Sequence, residues 1–488
     1  MKLRSFLGLL ILPSLLFLAS CATTFTVEKT MSHEALSPDP GPQAEPAPVK
    51  ADPVLEALLD SALADGYTYD KLGELCDVIG HRLVGSPGMK RAIEWSVRSM
   101  EEAGFDSVWT EPVTVPYWTR GNEWARCTAP TEFDLDISGM GLSDGTGSEN
   151  PNGIEAEILA VRDFDELEAR ADEAVGKIVL FNPPWEGYGK TVQYRVHGAS
   201  RAAKHGAVAA LIRSVTGVSL GAPHTGMMHY AEDVPRIPIA ALTVEDAGRL
   251  FRLARRGLKP RVRLYMEAEN HDDTISYNVI GDIRGREKPE EIVLLGGHLD
   301  SWDVGTCAHD DGAGVALAMG AARHILQQGL RPRRTVRVVH FTCEEMGGVG
   351  GQAYLEAHRA ELDDHILALE SDSGAFAPRG FSVQADSIVI RTIANLAAPL
   401  ARVAPDDWIV SKGGSGVDVG PIVREGVPGV GHRVEHSRYF DVHHSLADTF
   451  EKIDPDLLAR NVAVIAGLVY TVAENPASLG SDPSVGGP

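Results

Sequence analysis

The 488-residue sequence predicts an α/β protein: a parallel or mixed sheet covered by helices on both faces, with a β-rich segment inserted into it. Three observations carry this expectation. Ile292-Val293-Leu294-Leu295 is a continuous apolar run, too short for a helix and followed by glycines, which reads as a strand buried on both faces. From Asn278 onward, strand and helix patterns alternate, as in a sheet wrapped by crossover helices. Between residues 123 and 266 the pattern changes, with strand-like runs at Ile154–Val161, Gly176–Phe181 and Ala207–Ile212.

Taken in order, the chain opens on a targeting pattern. Lys2 and Arg4 precede an apolar stretch, Phe6 to Leu18, that is too short to span a bilayer. Leu18-Ala19-Ser20-Cys21 resembles a bacterial lipoprotein box, which makes residues 1–20 a signal peptide and Cys21 the lipidation site. The following Ala22 favours the outer membrane, so the expected location is exported and lipid-anchored, facing the periplasm. Residues 21–53 are rich in Pro, Ala, Asp and Glu and read as a disordered tether. With Cys21 modified, Cys76, Cys127, Cys307 and Cys343 remain, and a disulfide between Cys307 and Cys343 is a weak expectation.

The first part of the main domain, residues 54–122, reads as helical, then as a strand over Glu111–Tyr117. Ser86-Pro87 gives an N-cap and first-turn proline, Gly104 a stop, and Met89, Ile93, Val97 and Met100 an apolar face. Residues 123–266 read as an insert that shapes the entrance, with a helix of small residues over Gly198–Gly206. His224 and His229 there are expected on a surface or loop and not as ligands. The second part, residues 267–475, carries helices at Asp311–Gln328 and Gly351–Leu362, and strands at Thr335–Thr342 and Ile366–Leu369. Asp454-Pro455 opens the last helix, and residues 476–488 read as a frayed tail. A net charge of −23 argues against nucleic acid or anionic lipid as a partner, since both reward a basic face.

The chemistry gathers at strand ends. His298, the pair Glu344-Glu345, and Asp372 each follow a buried strand, and in open α/β sheets the functional crevice lies beyond those ends. Asp310-Asp311 and His443-His444 complete the set. Any one of these pieces arises by chance, but structural duty alone does not place acids at successive strand termini. Histidines and carboxylates together suit a metal such as zinc, with positions left for water.

The strings GGHLDSWDVG, DDGAG, EEMGG, ESDSG and HHS..DT resemble the di-zinc exopeptidase family related to carboxypeptidase Q, and the likeness runs over most of residues 65–475. In the insert, PHTG (223–226) and IPIAALTVEDA (237–247) resemble that group's protease-associated domain. The resemblance implies a three-layer mixed-sheet catalytic fold holding two zinc ions through His298, Asp310, Glu345, Asp372 and His444. Asp310 would bridge the ions, with a cis peptide bond after it, and Asp300 would orient His298. Glu344 would be the general base acting on a metal-bridging water. His444 is chosen over His443 because it stands four residues before Asp448. Zinc that lowers a water pKa from about 15.7 to about 7 supplies roughly 12 kcal/mol, more than a side-chain base alone provides.

The implied activity is hydrolysis of short peptides or dipeptides by an aminopeptidase, dipeptidase or carboxypeptidase. Asp418, in KGGSGVDVG, is a candidate for the substrate's α-amine, with a plain loop aspartate as the alternative. Relatives dimerise, which leaves a homodimer open. A glutaminyl-cyclase-like zinc enzyme and a non-catalytic binding ectodomain are the rival readings, and the complete ligand set counts against both.

Overall fold

The computed structural model describes residues 52–64, 66–404 and 407–480. Cys21, the signal peptide and the tether up to residue 51 lie outside the described residues, as does the tail from 481.

Two eight-stranded sheets organise the chain. In the first, Lys288–His298 is central and pairs in parallel with both Arg334–Phe341 and His365–Glu370. Gly429–Val434 continues the parallel order beyond His365–Glu370. Antiparallel strands close both sides: Glu269–Ile283 and Ser107–Thr119 on one, Pro378–Gln384 on the other, with Ile409–Lys412 at its edge.

Alternation along the central strand shows why the apolar run is continuous. Val293 and Leu295 pack into one core with helices Pro53–Leu63, Pro87–Ala103, Ala313–Gln327 and Pro455–Glu474. Ile292 and Leu294 pack into another, with Tyr354 and Leu355 of helix Val349–His358 and with Ile422 and Val423. A strand covered on both faces needs apolar residues at every position. Helix Pro455–Glu474 is long and apolar enough by composition to cross a membrane, yet 72% of its apolar window is buried inside the protein.

The second sheet is drawn wholly from residues 123–266, in the order Phe133–Leu135, Glu123–Ala129, Arg261–Met266, Ile154–Val161, Ile178–Phe181, Ala209–Arg213, Ile239–Leu242, Ile137–Gly139. Its core is continuous with Val113, Val115 and Trp118 of the first sheet and with Trp302, Cys343 and Met346 beside the strand ends.

Several local expectations change. Ser86 does cap helix Pro87–Ala103, accepting from the Met89 amide at 3.1 Å, and Gly104 ends it at φ 89°. The buried face, however, is Met89, Ala92, Trp95, Ser96, Ser99 and Met100, while Ile93 and Val97 sit half-buried at its border. The small-residue helix begins at Tyr188, ten residues before the expected start at Gly198, and runs to Ala203. Strand Glu269–Ile283 extends far N-terminal of Asn278, its polar early residues lying on an exposed face. The expected frayed tail is packed at its start: Leu479 is buried, and the Asn475 and Ala477 carbonyls accept from Arg334.

The Cys307–Cys343 disulfide does not form, and Cys76, Cys127, Cys307 and Cys343 are all free and buried. Cys307 instead donates to the carbonyls of Trp302 and Val304, and Cys343 packs in the apolar core shared by the two sheets.

Candidate metal centre

The parallel strands deliver their chemistry at adjacent carboxyl ends. His298 is the last residue of its strand, Glu344 and Glu345 follow Phe341, and Asp372 follows Glu370. Asp310 comes from the turn before helix Ala313–Gln327, and His443-His444 from the loop after the short helix Tyr439–Val442. The peptide bond between Asp310 and Asp311 is cis.

Asp310 lies at the middle of the cluster. Its Oδ1 is 3.3 Å from His298 Nε2, and its Oδ2 is 3.2 Å from His444 Nε2 and 3.5 Å from His443 Nε2. On one flank, His298 Nε2 is 3.7 Å from Asp372 Oδ1. On the other, His444 Nε2 is 3.0 Å from Glu345 Oε2. The five residues expected as ligands are therefore brought together. Asp310, His443 and His444, and separately His298, Asp311 and Asp372, offer atoms close enough to share an ion.

The donor set fits cations. His298 Nε2, Asp310 Oδ2 and Asp372 Oδ1 are buried without a hydrogen-bond partner, a costly state unless something positive lies among them. Electrostatics agree. Burial opposes charge on His298, but Asp310 and Asp372 override it and hold the imidazole well above its ordinary pKa. Burial likewise opposes charge on His444, which Glu345 and Asp310 hold well above its usual value. Asp310 is the converse: burial raises it, and His443, His298 and His444 pull it well below the carboxylate range. Metal ions would neutralise the same field of carboxylates, and their binding is in competition with protons at these imidazoles.

Around these atoms lies a frame of buried polar groups. Asp448 is 1% exposed and accepts from the His309 amide at 2.9 Å and the Asp310 amide at 3.1 Å, fixing the turn that carries Asp310. Burial, with Asp310 adding to it, pushes Asp448 up to about 7 against those two amides. The Asp311 carboxylate accepts from the amides of His298 and Gly314 at 3.1 and 2.9 Å. Gly297 and Gly314 give that carboxylate room, since a Cβ would come within 2.5 Å and 2.3 Å of it. Arg82, fully buried, donates to the carbonyls of Gly80, Leu299, Thr306 and Cys307 and ties together the loops entering the site. His444 itself has φ 59°, a left-handed conformation that a non-glycine residue keeps only under constraint.

The acids around Glu344 differ from expectation in detail. Asp300 was expected to orient His298, but His298 Nδ1 bonds its backbone carbonyl at 3.0 Å and stands 3.8 Å from its carboxylate. That carboxylate instead accepts the amides of Glu344 at 3.0 Å and Glu345 at 3.2 Å. Glu344 is half-buried as a residue, while Glu345 is buried. Burial, reinforced by Asp372, Glu345 and Asp300, pushes Glu344 well above the usual carboxylate range against the pull of His298.

Asp418, the candidate for the substrate's α-amine, lies in the loop ahead of the short helix Gly420–Arg424. It is 1% exposed with both oxygens unpartnered, and burial, Glu370 and Glu344 hold it well above the usual carboxylate range. Its loop serves Glu370, whose carboxylate accepts the amides of Val417 and Val419. His229 is exposed as expected, but His224 is 2% exposed, and burial drives its pKa down to about 3. Among the described residues neither belongs to a metal-holding group.

Sequence reasoning missed Arg82, Asp448 as an anchor, and the insert's contribution. The Thr225 amide donates to the His444 carbonyl at 2.9 Å, and Arg195 and Tyr188 stand against the His443-His444 pair. PHTG (223–226) was the one signal in the sequence that pointed there.

Comparison with known proteins places the chain. Residues 278–469, which hold the whole donor set, match the model of peptidase family M28. Mouse (Mus musculus) carboxypeptidase Q is 42% identical over 427 residues, covering 86% of this chain and 89% of that protein. The human (Homo sapiens) protein of that name is 40% identical over the same coverage. The crystal structure of a peptidase M28 precursor from Shewanella amazonensis SB2B superposes with a TM-score of 0.83 at 36% identity, covering 88% of this chain and 98% of that one. A zinc aminopeptidase from Bacillus subtilis shares the fold, at a TM-score of 0.64 and 19% identity. On this evidence the chain belongs to peptidase family M28.

Proposed function

We propose that this protein is a zinc-dependent exopeptidase that hydrolyses short peptides, with two zinc ions held by His298, Asp310, Glu345, Asp372 and His444. The observation that carries this reading is the set of buried, unpartnered imidazole and carboxylate atoms converging on Asp310 at the tips of parallel strands. Three ionised carboxylates leave two dications with one net positive charge, which a hydroxide would neutralise. When bound, zinc supplies Lewis-acid chemistry: it acidifies water and polarises the scissile carbonyl.

The chain's own residues do the rest. Glu344 takes a proton from the attacking water and gives it to the leaving amine as the C–N bond breaks. Its raised pKa suits a group that must hold a proton between those events. Asp300 fixes Glu344 through its amide, and Asp448 fixes the Asp310 turn. The likeness to carboxypeptidase Q supports peptides as substrates.

The same proposal takes residues 123–266 as a protease-associated insert, 54–122 and 267–475 as the catalytic domain, and residues 1–20 and 21–53 as signal peptide and tether. It places the protein outside the cytoplasm on a lipid attached at Cys21, with a homodimer as its assembly. The targeting pattern at residues 2–21 supports the first, and the second rests on the family resemblance alone.

The test is Glu344→Gln. It should retain two zinc ions by elemental analysis and lose nearly all dipeptide hydrolysis; retained turnover would mean that another group moves the proton.

A further inference from the structure

The insert sends one charged side chain to the metal centre. Arg195, on helix Tyr188–Ala203, is 6% exposed, and among the described residues it forms no ion pair. Its Nη2 donates to Tyr188 Oη at 3.0 Å, and its Nη1 reaches the Thr225 carbonyl only at 3.5 Å. Nε has no partner. Nη1 also stands 3.2 Å from His444 Nδ1, which lies 3.3 Å from the same Thr225 carbonyl. If His444 Nε2 serves a metal, Nδ1 carries the proton and itself donates to Thr225, so it gives the arginine no acceptor.

A buried guanidinium without a counter-ion is costly and is kept where an anion arrives. The other arginines near the centre are committed: Arg82 to four carbonyls, and Arg120 to Asp303 and Glu123. The setting of Arg195 is rigid. Gly226, at φ 136°, lies flat against the guanidinium, where a Cβ would come 2.3 Å from Nη1. Tyr188 stacks on Phe440 at 4.7 Å and meets His443 edge-on at 5.3 Å, so its hydroxyl and Nη2 form a fixed donor pair beside the histidines. Tyr188 is only half-buried, which leaves part of this pair open to solvent.

We propose that Arg195, with the Tyr188 hydroxyl, receives the free α-carboxylate of the residue on the leaving side of the scissile bond. This makes the insert the determinant of selectivity for dipeptides and other substrates whose free carboxylate lies one residue past the cut. The inference rests on the peptidase reading above. Peptide carboxylates are repelled by the acids of the centre, and planar guanidinium is suited to binding them through paired donors.

The experiment compares alanyl-leucine with alanyl-leucine amide on zinc-loaded wild type, Arg195→Gln, Arg195→Lys and Tyr188→Phe, with zinc content and thermal midpoint measured for each. Wild type should prefer the free acid. Arg195→Gln should raise KM for the acid by about 10- to 100-fold with kcat little changed, the worth of a charge-assisted hydrogen-bond pair. The amide should be cleaved as before, Arg195→Lys should recover part of the loss, and Tyr188→Phe should weaken the acid alone by a few fold. Calorimetric binding of alanyl-leucine to zinc-loaded Glu344→Gln, with and without Arg195→Gln, should show the same ratio without turnover. Equal loss on both substrates, or an unchanged KM for the acid, overturns the assignment while the peptidase reading stands. Should Arg195→Gln not fold, a Tyr188→Phe enzyme that keeps the wild-type preference for acid over amide overturns it too. Wild type that cleaves neither compound overturns the peptidase reading itself.

Discussion

Replacing Asp300 by asparagine separates two ways in which this buried carboxylate could serve the centre. Its two oxygens accept the consecutive amides of Glu344 and Glu345, at 3.0 and 3.2 Å, and its backbone carbonyl accepts from His298 Nδ1. Asp300→Asn leaves the carbonyl untouched but turns one oxygen into a donor facing an N–H. One hydrogen bond to a charged group is lost and one buried amide is stranded, about 1.5–3 kcal/mol. At about 1.36 kcal/mol per tenfold, a loss falling wholly on the placement of Glu344 lowers kcat/KM by about 10- to 150-fold. Zinc should stay near two per chain by elemental analysis, because the bond that orients His298 survives. Steady-state kinetics on a dipeptide and metal analysis of the same sample decide the matter. If zinc falls to one per chain while the fully loaded fraction turns over normally, the carboxylate acts through His298 and the reasoning here is wrong.

Further predictions concern the ligands, a largely buried ion pair and the thiols. Asp372→Ala should hold one zinc per chain, and an unchanged metal content would remove Asp372 from the ligand set. His358, held above its ordinary 6.5 by Glu111 against burial, and Glu111, held below 4.5 by His358 and Trp109 against burial, form a pair 3.0 Å apart. The carboxylate's contribution is present above about pH 4.5 and lost as pH falls through its folded pKa; the imidazolium's is complete below about pH 6.5 and lost as pH rises through its folded pKa. His358→Gln should therefore cost most between those values, up to about 1 kcal/mol by urea unfolding, and least at pH 9; a cost independent of pH would refute the pairing. Cys76, Cys127, Cys307 and Cys343 should react with a thiol reagent only after denaturation, without reductant; protection of Cys307 and Cys343 in the unfolded chain would reveal a disulfide.

What could be read from the chain follows from the range of the interactions involved. Ile292–Leu295 announces a strand buried on both faces because burial dictates every residue locally, and strand-end acids follow from topology. Strand Glu269–Ile283 was half missed because its first residues, Glu269 to Asp273, carry no apolar alternation. Arg82, Arg195 and Asp448 each reach a partner more than 130 residues away in sequence, so no local spacing marks those contacts. The burial of Asp418 was not legible either, because a glycine-rich loop carries no local pattern that marks whether it is covered.

The clasp between Thr225 and His444 has a mechanical consequence. A backbone bond and a shared carbonyl join the insert to a residue of the metal-binding set, so the insert cannot swing outward as a free lid without dragging that imidazole along. Widening the mouth for a long polypeptide would disassemble the very apparatus that cuts it. On the proposed peptidase reading this linkage favours small substrates, and severing the clasp should trade selectivity and metal retention together.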